Sequence, residues 1–304
     1  MSGKYAASIP SSIIKRFDRT IINYRSKERD KEIARNLSNI RTIGPAFQTD
    51  VVTYWEKTGG NDIIRASIKA KGAAADTVGA KENEISHQMY KLTVGFNFNT
   101  RDLDLDPAQY TRKVEICTRE IRRLEDYLFI NGSTGPALTG LVTAARANPK
   151  GKIAAYGASS SSPSKDSVGN WAGTDTYRDI YDDTLEAVTR VGDNFDAAYM
   201  IGQKTTLAPI RKMDDLRNVY ADQLLDLFNA NNVNDFLRTS AYVPAGYAYV
   251  VAKDVEFAEF VISTDLRTKA YSEQPGEVIP VELIEWVNPN EFHTMEGVAE
   301  IYTL

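Results

Sequence analysis

Apolar residues recur at helical spacing in three stretches of the chain and at alternate positions in several others. Ile13, Ile14, Phe17, Ile21 and Tyr24 form a stripe that predicts a helix over residues 11–37, capped by Ser11 or Ser12. From Arg25 to Arg35 this segment is almost wholly charged. That half has no apolar face of its own and must lie on another surface or stand in solvent. Gly44-Pro45 ends it. The longest stripe runs Tyr110, Val114, Cys117, Ile121, Leu124, Leu128 and predicts a helix over 106–131. Asp106 caps it, Pro107 fits its first turn, and Asn131-Gly132 stops it. A third stripe, Tyr177, Ile180, Tyr181, Leu185, Val188 and Val191, starts a helix at residue 177.

Alternation marks the strands. Val51 to Trp55 reads as one, followed by a Gly59-Gly60 turn, and residues 63–71 (IIRASIKAK) as a second. The small, polar stretch 72–84 has nothing to bury. Residues 85–99 return as a strand, with Leu92, Val94, Phe96 and Phe98 on one face. Two strands joined by a tip without a core make a protruding hairpin. Such a hairpin is marginal alone, and its edges invite pairing with another chain. It is expected to rest on a neighbouring copy.

Leu138, Leu141 and Val142 offer a short buried segment, whereas the Gly- and Ser-rich residues 149–176 read as a connection without a strand. Beyond them 195–201, 247–252, 260–262 and 278–284 read as strands, and 204–210 and 220–228 as helices. Residues 177–304 thus alternate helix and strand, an α/β or α+β arrangement.

Charge sharpens this picture. The 304 residues carry a net charge of −5. Residues 1–41 hold ten Lys/Arg against four acids, +6, so the remainder is −11; residues 271–304 hold seven Glu and no Lys or Arg. A basic arm on an acidic body points to an anionic partner or to self-assembly between opposite ends. The lone Cys117 excludes an intrachain disulfide, and no run of 18 apolar residues predicts a membrane span.

Catalytic chemistry is hard to find. His87 and His293 each lack a second ligand at metal spacing, and Cys117 lies on the apolar stripe as an inert thiol. Residues 132–140 (GSTGPALTG) resemble a phosphate loop in composition alone: the Gly-Lys-Ser/Thr ending is missing, and the segment follows a helix where a phosphate loop opens one. Asp102, Asp104 and Asp106 lack the Gly and distal Glu of a calcium loop. Glu125 and Asp126, adjacent on a helix, do not face each other as a glycosidase pair does; ion pairs to an arginine of the same or a neighbouring chain suit them better. No helix-turn-helix or zinc finger accompanies the basic arm, so any contact with nucleic acid is non-specific phosphate neutralisation. No catalytic residue, cofactor or metal site is expected, and a soluble α/β hydrolase would need a nucleophile, base and orienter in reach.

The order of parts then becomes informative: a basic arm, a protruding hairpin, a long helix ending in Asn-Gly, an α/β segment and Glu-rich closing strands. LEDYLFINGSTGPALTGL (124–141) and the block 285–302, with fainter support from DAAYMIG (196–202) and YVVAKD (249–254), resemble the major capsid proteins of tailed phages with the Hong Kong 97 type of fold, to which encapsulin shells are related. The resemblance implies an α+β chain laid out as an N-terminal arm (1–44), the start of a peripheral domain (45–62) and an extended loop (63–99). The peripheral domain continues over 100–176 with its spine helix at 106–131, followed by an axial α/β domain (177–265) and closing strands (266–304). It implies a structural subunit, not an enzyme, that self-assembles through pentamers and hexamers into an icosahedral virion shell around double-stranded DNA, built in the host cytoplasm. An encapsulin-type nanocompartment is the alternative. Scaffold, portal or cement proteins would be further partners. Nothing before residue 45 is long enough for a scaffolding segment, and Met1 favours a separate scaffold. Arg16, Arg19, Arg25, Lys69, Lys71, Lys81, Arg119, Arg123, Glu125 and Asp126 are the expected inter-subunit contacts. Some relatives join a loop lysine to a neighbour's asparagine; Lys69, Lys71 or Lys81 and Asn288 or Asn290 would be the pair here. If the arm reaches under a neighbour, deleting residues 1–40 should block assembly and leave the subunit folded.

Overall fold

The computed structural model describes residues 11–28, 31–43, 51–59, 80–99, 107–134, 138–148, 152–154, 171, 177–192, 195–211, 220–270 and 278–303. Its helices longer than one turn are α1 (Ser11–Glu28), α2 (Ile33–Leu37), α3 (Pro107–Asn131), α4 (Leu141–Ala147) and α5 (Tyr177–Gly192). The first strands are β1 (Asn39–Thr42), β2 (Val51–Gly59), β3 (Ala80–Gln88), β4 (Tyr90–Asn99), β5 (Gly132–Ser133), β6 (Leu138–Thr139) and β7 (Lys152–Ala154). They are followed by β8 (Ala197–Gly202), β9 (Leu237–Thr239), β10 (Tyr247–Ala252), β11 (Ala258–Ala270), β12 (Val278–Phe292) and β13 (Val298–Tyr302).

Two sheets organise the chain. A four-stranded sheet has the order β1-β11-β12-β4, and a five-stranded sheet the order β7-β13-β10-β8-β9. In β12 the alternate residues Ile279, Val281, Leu283 and Val287 are buried, so this strand commits one face to the core. That core is the layer of α1 and α3, which pack on each other and on β11, β12 and β4. Phe17 of α1 meets Phe96 and Phe98 edge-on at 5.9 and 6.0 Å, and Phe98 meets Tyr110 of α3 at 4.7 Å. In the other sheet β10 is central, antiparallel to β13 and β8, and α5 covers it. One continuous apolar cluster joins both halves.

The spine helix begins one residue after its expected start and ends where Asn131-Gly132 predicts. Gly132 has φ +70°, and β5 and β6 pair so closely that a Cβ there would lie 2.2 Å from the Leu138 carbonyl oxygen. The loop is thus a close backbone approach, as its composition suggests. Gly132→Ala combines a left-handed backbone costing about 1–2 kcal/mol with a steric overlap. Its thermal midpoint should fall by several degrees in a melting scan; an unchanged midpoint would contradict this geometry.

Several expectations are corrected. The helix expected over 11–37 is two, because Asp126 of α3 starts a fresh helix at α2 by accepting hydrogen bonds from the Ile33 and Ala34 backbone N–H groups, both at 2.9 Å. The strand expected over 85–99 breaks at Met89, whose side chain is buried; β3 pairs with β2, and β4 joins the four-stranded sheet. The hairpin's described strands are therefore β2 and β3, and residues 63–71 lie outside the described residues. Residues 152–154, read as connection, add a parallel strand beside β13. The stretch 204–210 forms turns and the start of a 3-10 helix, and 220–228 only one helical turn and a short 3-10 helix. Leu124 and Leu185, assigned to buried stripes, are 39% and 40% exposed.

Candidate assembly site

Five charged side chains from five elements meet between α1, α2, α3 and the four-stranded sheet. Arg25, from the last turn of α1, reaches Glu125 of α3 at 3.3 Å, Glu285 of β12 at 3.2 Å and Asp265 of β11 at 3.3 Å. Arg35 of α2 reaches Glu125 at 2.9 Å, Asp265 at 3.4 Å and Glu285 in a close contact, and stacks its guanidinium 5.0 Å above the Phe260 ring. The two glutamates are fully enclosed, with side chains 1% and 0% exposed, whereas the Asp265 side chain is 68% exposed. Solvent screens that outer pair, so the inner carboxylates dominate.

The local folding explains the placement. Glu125 follows Ile121 and precedes Phe129 by one helical repeat each, so it occupies a core position of α3. Glu285 occupies the buried register between Leu283 and Val287 of β12. Burying one carboxylate costs far more than an ordinary contact returns, and burying two side by side costs more still. The arm supplies the compensating cations. Further ties run from Arg122 of α3 to Glu28 at 3.4 Å and from Asp18 of α1, which accepts a hydrogen bond from the Thr268 N–H at 2.9 Å.

Protonation divides the two glutamates. Burial pushes both carboxyls up, but Arg35 and Arg25 hold Glu125 below the ordinary carboxylate range. Glu285 stays well above it, because burial is joined by repulsion from Glu125. Asp265, on the solvent side of the cluster, is held low by Arg35 and Arg25. Burial pushes Asp126 up to about 7, with Glu125 adding to the rise and the Ala34 and Ile33 N–H donors opposing it. Uptake of a proton by Glu285 relieves its repulsion with Glu125 and leaves Arg25 and Arg35 to balance Glu125 and Asp265 one for one.

The expected contact residues are thus dispersed. In the single chain Arg25 and Glu125 are taken up by this cluster and Asp126 by the α2 cap. Arg16 and Arg19 lie exposed on α1. Arg119 and Arg123 both pair with Glu120 on the outer face of α3, at 3.7 and 2.8 Å. Lys69 and Lys71, with Asp102, Asp104 and Asp106, lie outside the described residues, and of Lys81 only the backbone of β3 is described. Asn288 and Asn290 are buried. Asn290 donates to the Leu128 and Thr139 carbonyls at 2.5 and 2.6 Å, and Asn288 donates to Glu291 at 2.7 Å, so both amides already serve the fold. His293 contacts Glu259 at 3.4 Å, and burial raises the Cys117 thiol. Among the described residues no three His, Cys, Asp or Glu side chains gather as a metal site, and no helix is long and apolar enough to cross a membrane. Sequence reasoning missed Arg35, Asp265 and Glu285. The available signal was an acid in the apolar phase of a helix and another in that of a strand.

The arm is accordingly part of the core. Phe17, Ile21, Ala34 and Leu37 are buried, and Arg25 and Arg35 compensate the inner carboxylates. This burial argues against the expectation that residues 1–40 can be removed from a folded subunit.

What remains on the outside is suited to contact. Among the described residues β1 pairs with β11 on one side only, and beside it lies a groove of about 520 Å³ flanked by Ile22 and Ile40, 67% and 51% exposed. Ser38 Oγ, Asn39 Nδ2, Glu32 Oε1 and Arg25 Nε line this groove without a hydrogen-bond partner among the described residues. A second groove, of about 590 Å³, runs between Leu124 and Tyr127 of α3 and residues 239–242.

No protein-family model matches the chain, and no curated protein sequence matches it. Solved structures do. A virus-like particle from Pyrococcus furiosus superposes with a TM-score of 0.58 at 10% identity, over 95% of this chain and 99% of that one. The capsid of Myoviridae phage XM1 gives 0.54 at 14% identity, over 87% and 90%. The capsid of the native GTA particle gives 0.56 at 12% identity, over 99% and 93%. The chain therefore has the α+β fold of shell-forming proteins. Specifically, it is the Hong Kong 97 type of capsid fold.

Proposed function

We propose that this chain is the subunit of a closed protein shell and that its work is assembly, not catalysis. The observation that carries this reading is the full-length likeness to proteins of capsids and a virus-like particle, with nearly all of each chain covered. The charge cluster supports it as a lock that makes arm, spine helix and sheet one rigid unit. The grooves and the open edge of β1 are surfaces on which copies can meet. Individually weak contacts suffice when a closed symmetric shell sums them. Pentamers and hexamers around packaged double-stranded DNA, assembled in a host cytoplasm, are the arrangement that fits the phage-like relatives. A cargo-filled nanocompartment is the second reading, favoured by the likeness to the archaeal virus-like particle. Sedimentation velocity of the purified chain over a concentration series should show a sharp, very large species coexisting with subunits or capsomers. A monomer at every concentration would overturn the proposal.

A further inference from the structure

We infer that the outer face of α1 binds the phosphate backbone of nucleic acid without regard to sequence. This deepens the shell reading and rests on it for biological setting only.

The structure divides the basic residues of the arm in two. Arg25, Arg35 and Arg41 turn inward to Glu125, Glu285 and Glu259, and Lys31 pairs with Glu28. Lys15, Arg16, Arg19 and Lys27 remain exposed on α1, with no carboxylate partner among the described residues. Lys15, Arg19, Asn23 and Lys27 follow at four-residue steps, a ridge ~18 Å long that winds about a third of the way round the helix, with Arg16 alongside. The two acids of this helix point away from the row: Asp18 accepts from Thr268 N–H, and Glu28 pairs with Lys31 and Arg122. Cations three and four residues apart on one face repel, so the helix carries a row that costs it stability in isolation.

The occupant that fits this surface is an external polyanion. The Glu-rich closing strands are the obvious candidate within a second copy, but the four acids of β12 and β13 already have partners in their own chain. Glu285 lies in the cluster, and Glu282 is 4.0 Å from Lys91. Glu291 accepts from Asn288, and Glu300 accepts from Tyr249 and pairs with Arg146. Three clustered cations and a fourth two turns further on, all without a carboxylate partner in a chain that is otherwise acidic, suit the dense negative charge of a nucleic-acid backbone.

The test measures binding of the full-length chain to a short, random-sequence DNA duplex by fluorescence anisotropy at several salt concentrations. It compares wild type with the variant Lys15→Ala, Arg16→Ala, Arg19→Ala, Lys27→Ala. A control of equal charge change carries Arg112→Ala, Arg123→Ala, Lys204→Ala and Arg211→Ala. The wild type and the control should bind with the same salt dependence. The α1 variant should bind at least tenfold more weakly, with a slope of log affinity against log salt shallower by about 3–4. Equal losses in both variants, or no binding by the wild type, would overturn the inference. Electron micrographs of the same samples keep the two readings apart. Shells that form from the α1 variant but no longer bind DNA support both. A wild type that binds through α1 but forms no shell supports the inference and removes the shell reading. An α1 variant that binds DNA normally but fails to assemble overturns the inference and makes the row a subunit interface.

Discussion

Removing residues 1–40 should yield an unfolded or aggregated subunit, not a folded one that fails to assemble. The deletion strips Phe17, Ile21 and Leu37 from the core, where each large side chain is worth about 2–5 kcal/mol. It also uncovers the faces of α3 and the four-stranded sheet and leaves Glu125 and Glu285 side by side without Arg25 and Arg35, where losing one partner of a buried pair costs about 3–5 kcal/mol. Together these losses are as large as the ~5–15 kcal/mol that holds an ordinary domain together. Soluble expression and a cooperative thermal transition of the truncated chain are the readouts. A truncated chain that melts cooperatively near the wild-type midpoint would show that the arm is dispensable to the fold.

Neutralising the two buried glutamates should give unequal results. Glu125→Gln removes the carboxylate that both arginines hold ionised, and should cost about 3–5 kcal/mol at neutral pH. Glu285→Gln keeps the shape of a carboxyl whose neutral form burial and Glu125 favour, and should cost less than Glu125→Gln. The two groups also set opposite pH dependences. Glu125, lowered in the fold, contributes stability that is present above the unfolded value and lost as pH falls through its folded value. Glu285 and Asp126, both raised, contribute stability that is complete below the unfolded values and lost as pH rises through the folded ones, about 7 for Asp126. Wild-type stability should therefore decline from mildly acidic to mildly alkaline pH, and Glu285→Gln should flatten part of that decline. Denaturant titrations at a series of pH values measure this directly. Equal losses in the two variants, or a wild-type stability rising toward alkaline pH, would contradict the assigned protonation.

Local signals carried the long helix, its Gly132 stop, the α5 helix and the central strand β10, because each follows a clear period with its own start or stop residues. The fold class followed from the order of these parts and is upheld by the structural likeness. Tertiary context decided the rest. The break between α1 and α2 is made by a side chain more than ninety residues away, Asp126, which no local pattern reveals. Strand β3 and strand β4 look like one strand because both alternate, yet they serve different sheets. The charged half of the arm was legible as needing a surface. That the surface belongs to its own chain depends on Glu125 and Glu285, acids hidden in apolar phases of elements far apart in sequence.

The most direct test of the shell account is a cryo-electron microscopy reconstruction of the purified, full-length chain. The account predicts closed particles of uniform size, in which each subunit's α1 lies on its own α3 and Arg25 and Arg35 meet Glu125 and Glu285 of the same chain. A discrete monomer or small oligomer with no closed particles at any concentration would contradict it.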